Sequence, residues 1–201
     1  MTANSRTKTL LAPARFLIGP REANTSLSLA EMVKRTLEKD LEASRRERFE
    51  RLRDAVLCEP RLEDPDVLLQ NVSRRARSDA QRKNVPLVLH AACRRVLLQA
   101  TFVEALVHLL DNAIRANRAG QPIIMDVREE VEGHVWQIHD MGDGMLPNVL
   151  AALGDPFAAM NDGSGLGVAL ANAIVQDHQG VLGYESAAGV GTTATVWVPL
   201  L

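Results

Sequence analysis

Asp140-Met-Gly-Asp-Gly144 and, further on, Gly163-Ser-Gly-Leu-Gly167 are the two glycine-rich turns on which the fold is read. They lie about 20 residues apart. Glycine has no Cβ and tolerates positive φ, so such turns let backbone N–H groups converge on an anion. Upstream runs Leu106-Val-His-Leu-Leu-Asp-Asn-Ala-Ile-Arg115, a helical pattern with Asn112 at its centre. Two glycine turns and an amide able to bind a metal describe a nucleotide site.

The individual residues carry distinct chemistry. Asn112 offers a hard oxygen to Mg²⁺, which takes one or two protein oxygens and completes its shell with waters and phosphates. His108 stands at i−4 on the same helix face, and Arg115, three residues on, can reach a phosphate. Asp140 ends a strand beside an open turn, where a carboxylate can accept a hydrogen bond from the exocyclic amine of adenine. Gly163, Gly165, Leu166 and Gly167 run directly into a helix, and their amides with the helix N-terminus suit a triphosphate. Taken singly, Asn112 is explained by a hydrogen-bonded core amide and Asp140 by an Asx turn. The pattern is neither Gly-x-x-x-x-Gly-Lys-Ser/Thr nor a dinucleotide-binding βαβ unit.

Composition removes other classes of function. The chain has 201 residues, enough for one domain with a core and an appendage, and a net charge of −2. That balance points to no nucleic acid and no anionic membrane surface. At 3% aromatic content, stacking on single-stranded bases is also disfavoured. Mean hydropathy is −0.06, and no apolar run is long enough to span a bilayer, so no direct membrane contact by this segment is expected. Cys58 and Cys93 lack metal-ligand spacing and read as reduced thiols of a cytoplasmic protein.

Residues 1–26 have no clear periodicity and read as an extended or poorly ordered leader. Residues 27–59 read as a helical segment, with Ser28 and Glu31 as a capping box and Met32, Val33, Leu37 and Leu41 at helical spacing. From residue 60 to 201 the pattern is that of one domain. Asp64-Pro65 opens a helix, Asn84–His90 reads as a strand, and Thr101–Asn117 is a strongly amphipathic helix. Strands are predicted at Ile123–Glu130, His134–His139, Val181–Ser186 and Thr192–Leu200, with a helix over Val168–His178. The sum is a two-layer α/β sandwich, helices on one face of a mixed sheet, preceded by an N-terminal helical segment.

With those residues in order, the chain resembles the GHKL ATPase superfamily, and within it the catalytic, ATP-binding domain of bacterial sensor histidine kinases. His108-Leu-Leu-Asp-Asn112-Ala-Ile-Arg115 resembles the N box, Asp140–Gly144 the G1 box, Asp155-Pro-Phe157 the F-box region and Gly163–Gly167 the G2 box. Gly189-Val-Gly-Thr-Thr193 is similar to the terminal Gly-x-Gly-Thr element. The resemblance covers roughly residues 60–201. It implies a Bergerat-type fold with a mobile lid over about Met145–Asp162, closing on ATP and Mg²⁺. It also implies that Asn112 coordinates Mg²⁺, that Asp140 contacts adenine, and that Gly142 and Gly144 shape the base pocket. Gly163, Gly165 and Gly167 would cradle phosphates, Thr193 would support the base end, and Arg115 would stand near the phosphates. The partners it implies are a histidine phosphoacceptor domain and, through it, a response regulator, with a parent protein that can be membrane-anchored.

Two departures stand out. His108 occupies the place where many such kinases carry Asn and the hydrolysing relatives a catalytic Glu. An imidazole there can polarise a water near neutral pH or pack and hydrogen-bond; the second is favoured, with slow intrinsic hydrolysis expected. The first histidine of the chain is His90, within a predicted strand, so the helices before residue 60 hold no phosphoacceptor. The expectation is a catalytic fragment of a longer kinase or a protein lacking the acceptor helix, with Ser28–Leu57 as a dimerisation or docking element and a homodimer as its consequence. The competing reading is a nucleotide-dependent protein-binding switch, anti-sigma-factor-like or degenerate. A gyrase-type or chaperone-type hydrolase is disfavoured by the missing Glu at position 108.

Overall fold

Asp64 begins the helical layer. Its Oδ1 accepts from the N–H groups of Asp66 (3.0 Å) and Val67 (3.4 Å), and Pro65 fills the first helical position, where no N–H is needed. The computed structural model describes residues 14–18, 50, 61–94, 96–153 and 166–200. Helix α1 (Pro65–Arg82) buries Leu68, Leu69, Val72, Ala76 and Ala80, a stripe at helical spacing. Asn84, with φ of 55°, turns the chain out of that helix, and Pro86 follows. The strand expected from Asn84 therefore starts later, as β3 (Leu87–Ala92).

Helix α2 (Thr101–Ala116) buries Phe102, Ala105, Leu106, Leu109, Leu110, Ala113 and Ile114. In its first turn the buried Glu104 pairs with Arg75 of α1, which ties the two helices together. A short helix α3 (Pro147–Ala151) and helix α4 (Leu166–Asp177) complete the helical layer. The predicted N-terminal helix (but for Glu50), the F-box region, Gly163 and Gly165 lie outside the described residues, as does the second half of the predicted lid.

The sheet has six strands in the order β1-β7-β8-β6-β5-β3. They are β1 (Ala14–Ile18), β3, β5 (Ile123–Glu130), β6 (Gly133–Asp140), β7 (Val181–Ala187) and β8 (Gly191–Pro199). β3 runs parallel to β5, and every other pairing is antiparallel, so the sheet is mixed as expected. β1 was not foreseen as a strand; it lies within the leader and adds to the edge at β7, with Ala14 opposite Ser186. A second unforeseen piece is a two-stranded ribbon, β2 (Arg61–Glu63) with β4 (Val96–Leu98).

Alternation along the strands sets the two faces. Met125, Val127, Trp136, Ile138, Leu182, Tyr184, Ala194 and Val196 fall in register on one face and are buried. Helices α2 and α4 cover that face. Phe102 of α2 meets Trp136 edge to face, with ring centroids 5.4 Å apart. The opposite face carries a polar network beside apolar residues such as Val135 and Trp197: Arg128 donates to Gln137 at 2.7 Å and Gln137 to Thr195 at 3.1 Å.

Candidate functional site

Asp140 is the last residue of β6 and is 3% exposed. Its Oδ1 accepts from the Gly142 N–H (2.9 Å) and the Thr192 N–H (3.2 Å). Among the described residues no hydrogen bond reaches Oδ2. Burial pushes the carboxyl up from its ordinary value; the two N–H bonds and the neighbouring His139 pull the other way.

The turn after Asp140 is packed against backbone on both sides. A Cβ on Gly142 would stand 2.3 Å from the Ala116 carbonyl oxygen, at the end of α2. Gly144 has φ of 62°, and a Cβ there would stand 2.0 Å from the Ala187 carbonyl oxygen. Only glycine fits either place. Asn117, 2% exposed, fastens the same turn from the helix side. Its Oδ1 accepts from the Met141 N–H at 3.0 Å, and its Nδ2 donates to the Gln121 carbonyl at 2.8 Å. From the sheet side, Ser186 Oγ accepts from the Met145 N–H at 2.8 Å, donates to the Gly191 carbonyl at 3.0 Å and lies 2.9 Å from Thr192 Oγ1. Arg118 completes the frame, donating to Asp143 at 3.2 Å and to the Gly189 carbonyl at 3.4 Å.

One turn of α2 earlier, Asn112 and His108 share a half-buried helix face. Gly167, at the start of α4, faces both. A Cβ there would lie 3.6 Å from His108 Nδ1 and 4.0 Å from each terminal atom of the Asn112 amide. Arg115 donates to Asn112 Oδ1, so this oxygen already draws a cationic group. It therefore fits Mg²⁺. No group of three or more His, Cys, Asp or Glu that could hold a metal occurs among the described residues. A cation at Asn112 would thus rely on phosphate and water for its other ligands.

Asn112, His108, Arg115 and Gly167 come together at one end, and Asp140, Gly142 and Gly144 at the other. Thr193 joins neither. Strand alternation turns it to the face of the polar network, where its Oγ1 lies 2.8 Å from His139 Nδ1, and the adjacent Thr192 meets Asp140 instead. The backbone of Leu166 opens α4, while Gly163 and Gly165 lie outside the described residues. Sequence reasoning missed Thr192, Ser186 and Asn117. For Thr192 a signal was present, since Thr192, Ala194, Val196 and Val198 alternate in one phase.

The family described as histidine kinase-, DNA gyrase B-, and HSP90-like ATPase matches residues 98–201. The chain belongs to this family. Among curated proteins it is similar to the sensor histidine kinase ZraS of Salmonella typhi, 30% identical over 128 residues, which covers 61% of this chain and 28% of ZraS. It is also similar to the sensor protein DivL of Caulobacter vibrioides, 32% identical over 136 residues, covering 66% of this chain and 18% of DivL. The chain thus spans under a third of the length of either relative. In fold it is similar to the catalytic domain of histidine kinase ThkA (TM-score 0.63, 18% identity, 71% of this chain and 97% of that one). Full-length ShkA in complex with AMPPNP is another likeness (TM-score 0.66, 19% identity, 86% of this chain and 42% of that one). The α/β GHKL fold expected from the sequence is therefore the one observed. The matched family residues hold the whole Asp140 frame and the Asn112 helix, whereas α1 and β3 precede them.

Proposed function

We propose that this chain is the ATP-binding catalytic domain of a sensor histidine kinase, holding Mg-ATP so that its γ-phosphoryl group faces a histidine imidazole on a separate domain or chain. The observation that carries this reading is the Asp140 carboxylate, buried and locked through Oδ1 by two backbone N–H groups, with no hydrogen bond to Oδ2 among the described residues. An acceptor held so firmly suits the exocyclic amine of adenine. Guanine presents a carbonyl oxygen at that place, which a carboxylate repels. The N–H groups of Gly142 and Thr192 favour the ionised carboxylate that this hydrogen bond needs.

At the other end, Asn112 Oδ1 would hold Mg²⁺, which neutralises charge on the phosphates when bound. Arg115 would then turn from Asn112 to a phosphate oxygen, and the start of α4 at Leu166–Gly167 would supply N–H groups to the same chain of phosphates. Phosphoryl transfer of this type asks for positioning and charge neutralisation: the bond from the γ-phosphorus to ADP breaks, a bond to the imidazole nitrogen forms, and the imidazole loses its proton. With His108 in place of a carboxylate base, hydrolysis by water stays slow. The acceptor is a histidine domain, and a response regulator receives the phosphoryl group next. The relatives named as sensor histidine kinases support this reading over a purely protein-binding switch. No helix among the described residues is long and apolar enough to cross a membrane.

The test is calorimetric titration with ATP, ADP and GTP, with and without Mg²⁺, on the intact chain and on Asn112→Ala and Asp140→Ala. Mg²⁺-dependent ATP binding lost in both variants, with GTP excluded, is the expected outcome. Failure of the intact chain to bind ATP overturns the proposal.

A further inference from the structure

The sheet has two edges, and only one is covered among the described residues. β1 lies along β7, whereas β3 pairs with β5 alone. The Ile123 N–H donates to the Pro86 carbonyl at 2.9 Å, which sets the phase of β3. Backbone groups at Val88 and His90 turn toward β5, and those of Leu87, Leu89 and Ala91 point out of the sheet. The Leu87 and Leu89 side chains are half-buried and line a groove of about 390 Å³ between β3 and α1. Arg74 and Arg77 stand on the helical wall of that groove. Both are exposed, and neither has an ion-pair partner among the described residues, unlike their neighbours Arg75 (with Glu104) and Arg82 (with Asp79). The field changes sign along β3. Just past its C-terminal end, burial and then the charges of Glu129, Asp66 and Asp64 push the Cys93 thiol up to about 11.

We propose that this edge and groove dock an extended acidic segment of a partner protein, added as a further strand beside Leu87–Ala91 with its carboxylates toward Arg74 and Arg77. An open strand edge is a template for main-chain pairing, and side chains at alternate positions then read the groove. Two unpaired guanidinium groups select carboxylates there. The same charges set a second copy of this chain against itself, because edge-to-edge pairing would bring the two arginine pairs close together. The inference stands apart from the nucleotide site, since Arg74, Arg77 and β3 take no part in it.

The probe is a blocked nonapeptide of alternating Val and Glu, titrated by fluorescence anisotropy into the full chain, with a Val/Lys peptide as its counterpart. Amide hydrogen exchange is followed with and without peptide. Saturable binding of the Val/Glu peptide is expected, weakened about tenfold by the double charge reversal Arg74→Glu, Arg77→Glu. The Val/Lys peptide should gain affinity in that variant, and exchange at Leu87, Leu89 and Ala91 should slow only when the acidic peptide is present. The reversed residues are exposed, and unchanged melting of the variant checks its fold. Four results each overturn the proposal: no saturable binding, binding indifferent to the reversal, protection of these amides in the free chain, and self-association through β3.

Discussion

At the Asp140 end of the site, the Asp140 carboxylate meets the backbone N–H groups of Gly142 and Thr192, and the contacts at Gly142 and Gly144 leave no room for a methyl group. At the Asn112 end, Gly167 faces His108 and Asn112, and a Cβ added there would meet them only at ordinary van der Waals distances. The first end is framed from both sides: Asn117 and Arg118 just past the end of α2, and Ser186 from β7. The second is half-buried, and there Arg115 donates to Asn112 Oδ1. Fixed dipoles around Asp140 suit a flat base of constant shape. Movable groups suit phosphates whose charge and geometry change during a reaction.

The sharpest test of this contrast is Asp140→Ala, which removes the ligand's acceptor and leaves two buried N–H groups unpaired. Affinity for ATP should fall roughly a hundredfold or more, while inorganic tripolyphosphate, which has no base, should bind nearly as before. Two alanine substitutions come next. Gly142→Ala drives a methyl group into the Ala116 carbonyl and should cost about 1–3 kcal/mol in urea unfolding. Gly167→Ala meets only ordinary contacts at the head of a helix and should change stability by under about 1 kcal/mol. Equal costs at the two glycines would erase the distinction between the ends. Asn117→Ala strips the Met141 N–H and the Gln121 carbonyl of their partner, at about 1–3 kcal/mol, and should weaken ATP without weakening tripolyphosphate.

The smallest expected effect lies away from both ends. His178 donates through Nδ1 to the Ile174 carbonyl (2.8 Å), while Nε2 accepts from the Gln99 N–H (3.2 Å), so the buried ring is neutral. Burial pushes its pKa below 6.5. The unfolded chain then binds the proton first, and stability falls as pH drops below about 6.5. Asp140 and Asp177, whose values are pushed up, act in the opposite sense. Comparison with His178→Gln isolates the histidine: the slope of stability against pH in mildly acid solution should flatten in the variant. An unchanged slope would remove His178 from the account.

Much of this was legible in the chain. Asn112 and Asp140 could be placed because each sits in a pattern whose period is unambiguous, one helical and one at a strand end before glycines. Thr193 turns away from Asp140 while its neighbour Thr192 meets it, because the phase of β8 follows from the buried run Ala194, Val196 and Val198 rather than from the glycines before it. Asn117 escaped because its partners, Met141 and Gln121, are set by how the chain returns after the helix, which no local period records. β2 and β4, three residues each, are too short to show alternation at all.

β1 carries a last consequence, for the order in which the molecule assembles. Ala14 faces Ser186, so this pairing joins residues far apart in the sequence. During synthesis β1 leaves the ribosome well before β7. It must therefore wait, unpaired, until β7 and β8 have formed their hairpin. Pairings of such long range form late and slowly, so the outermost strand of the sheet is the last to be sealed.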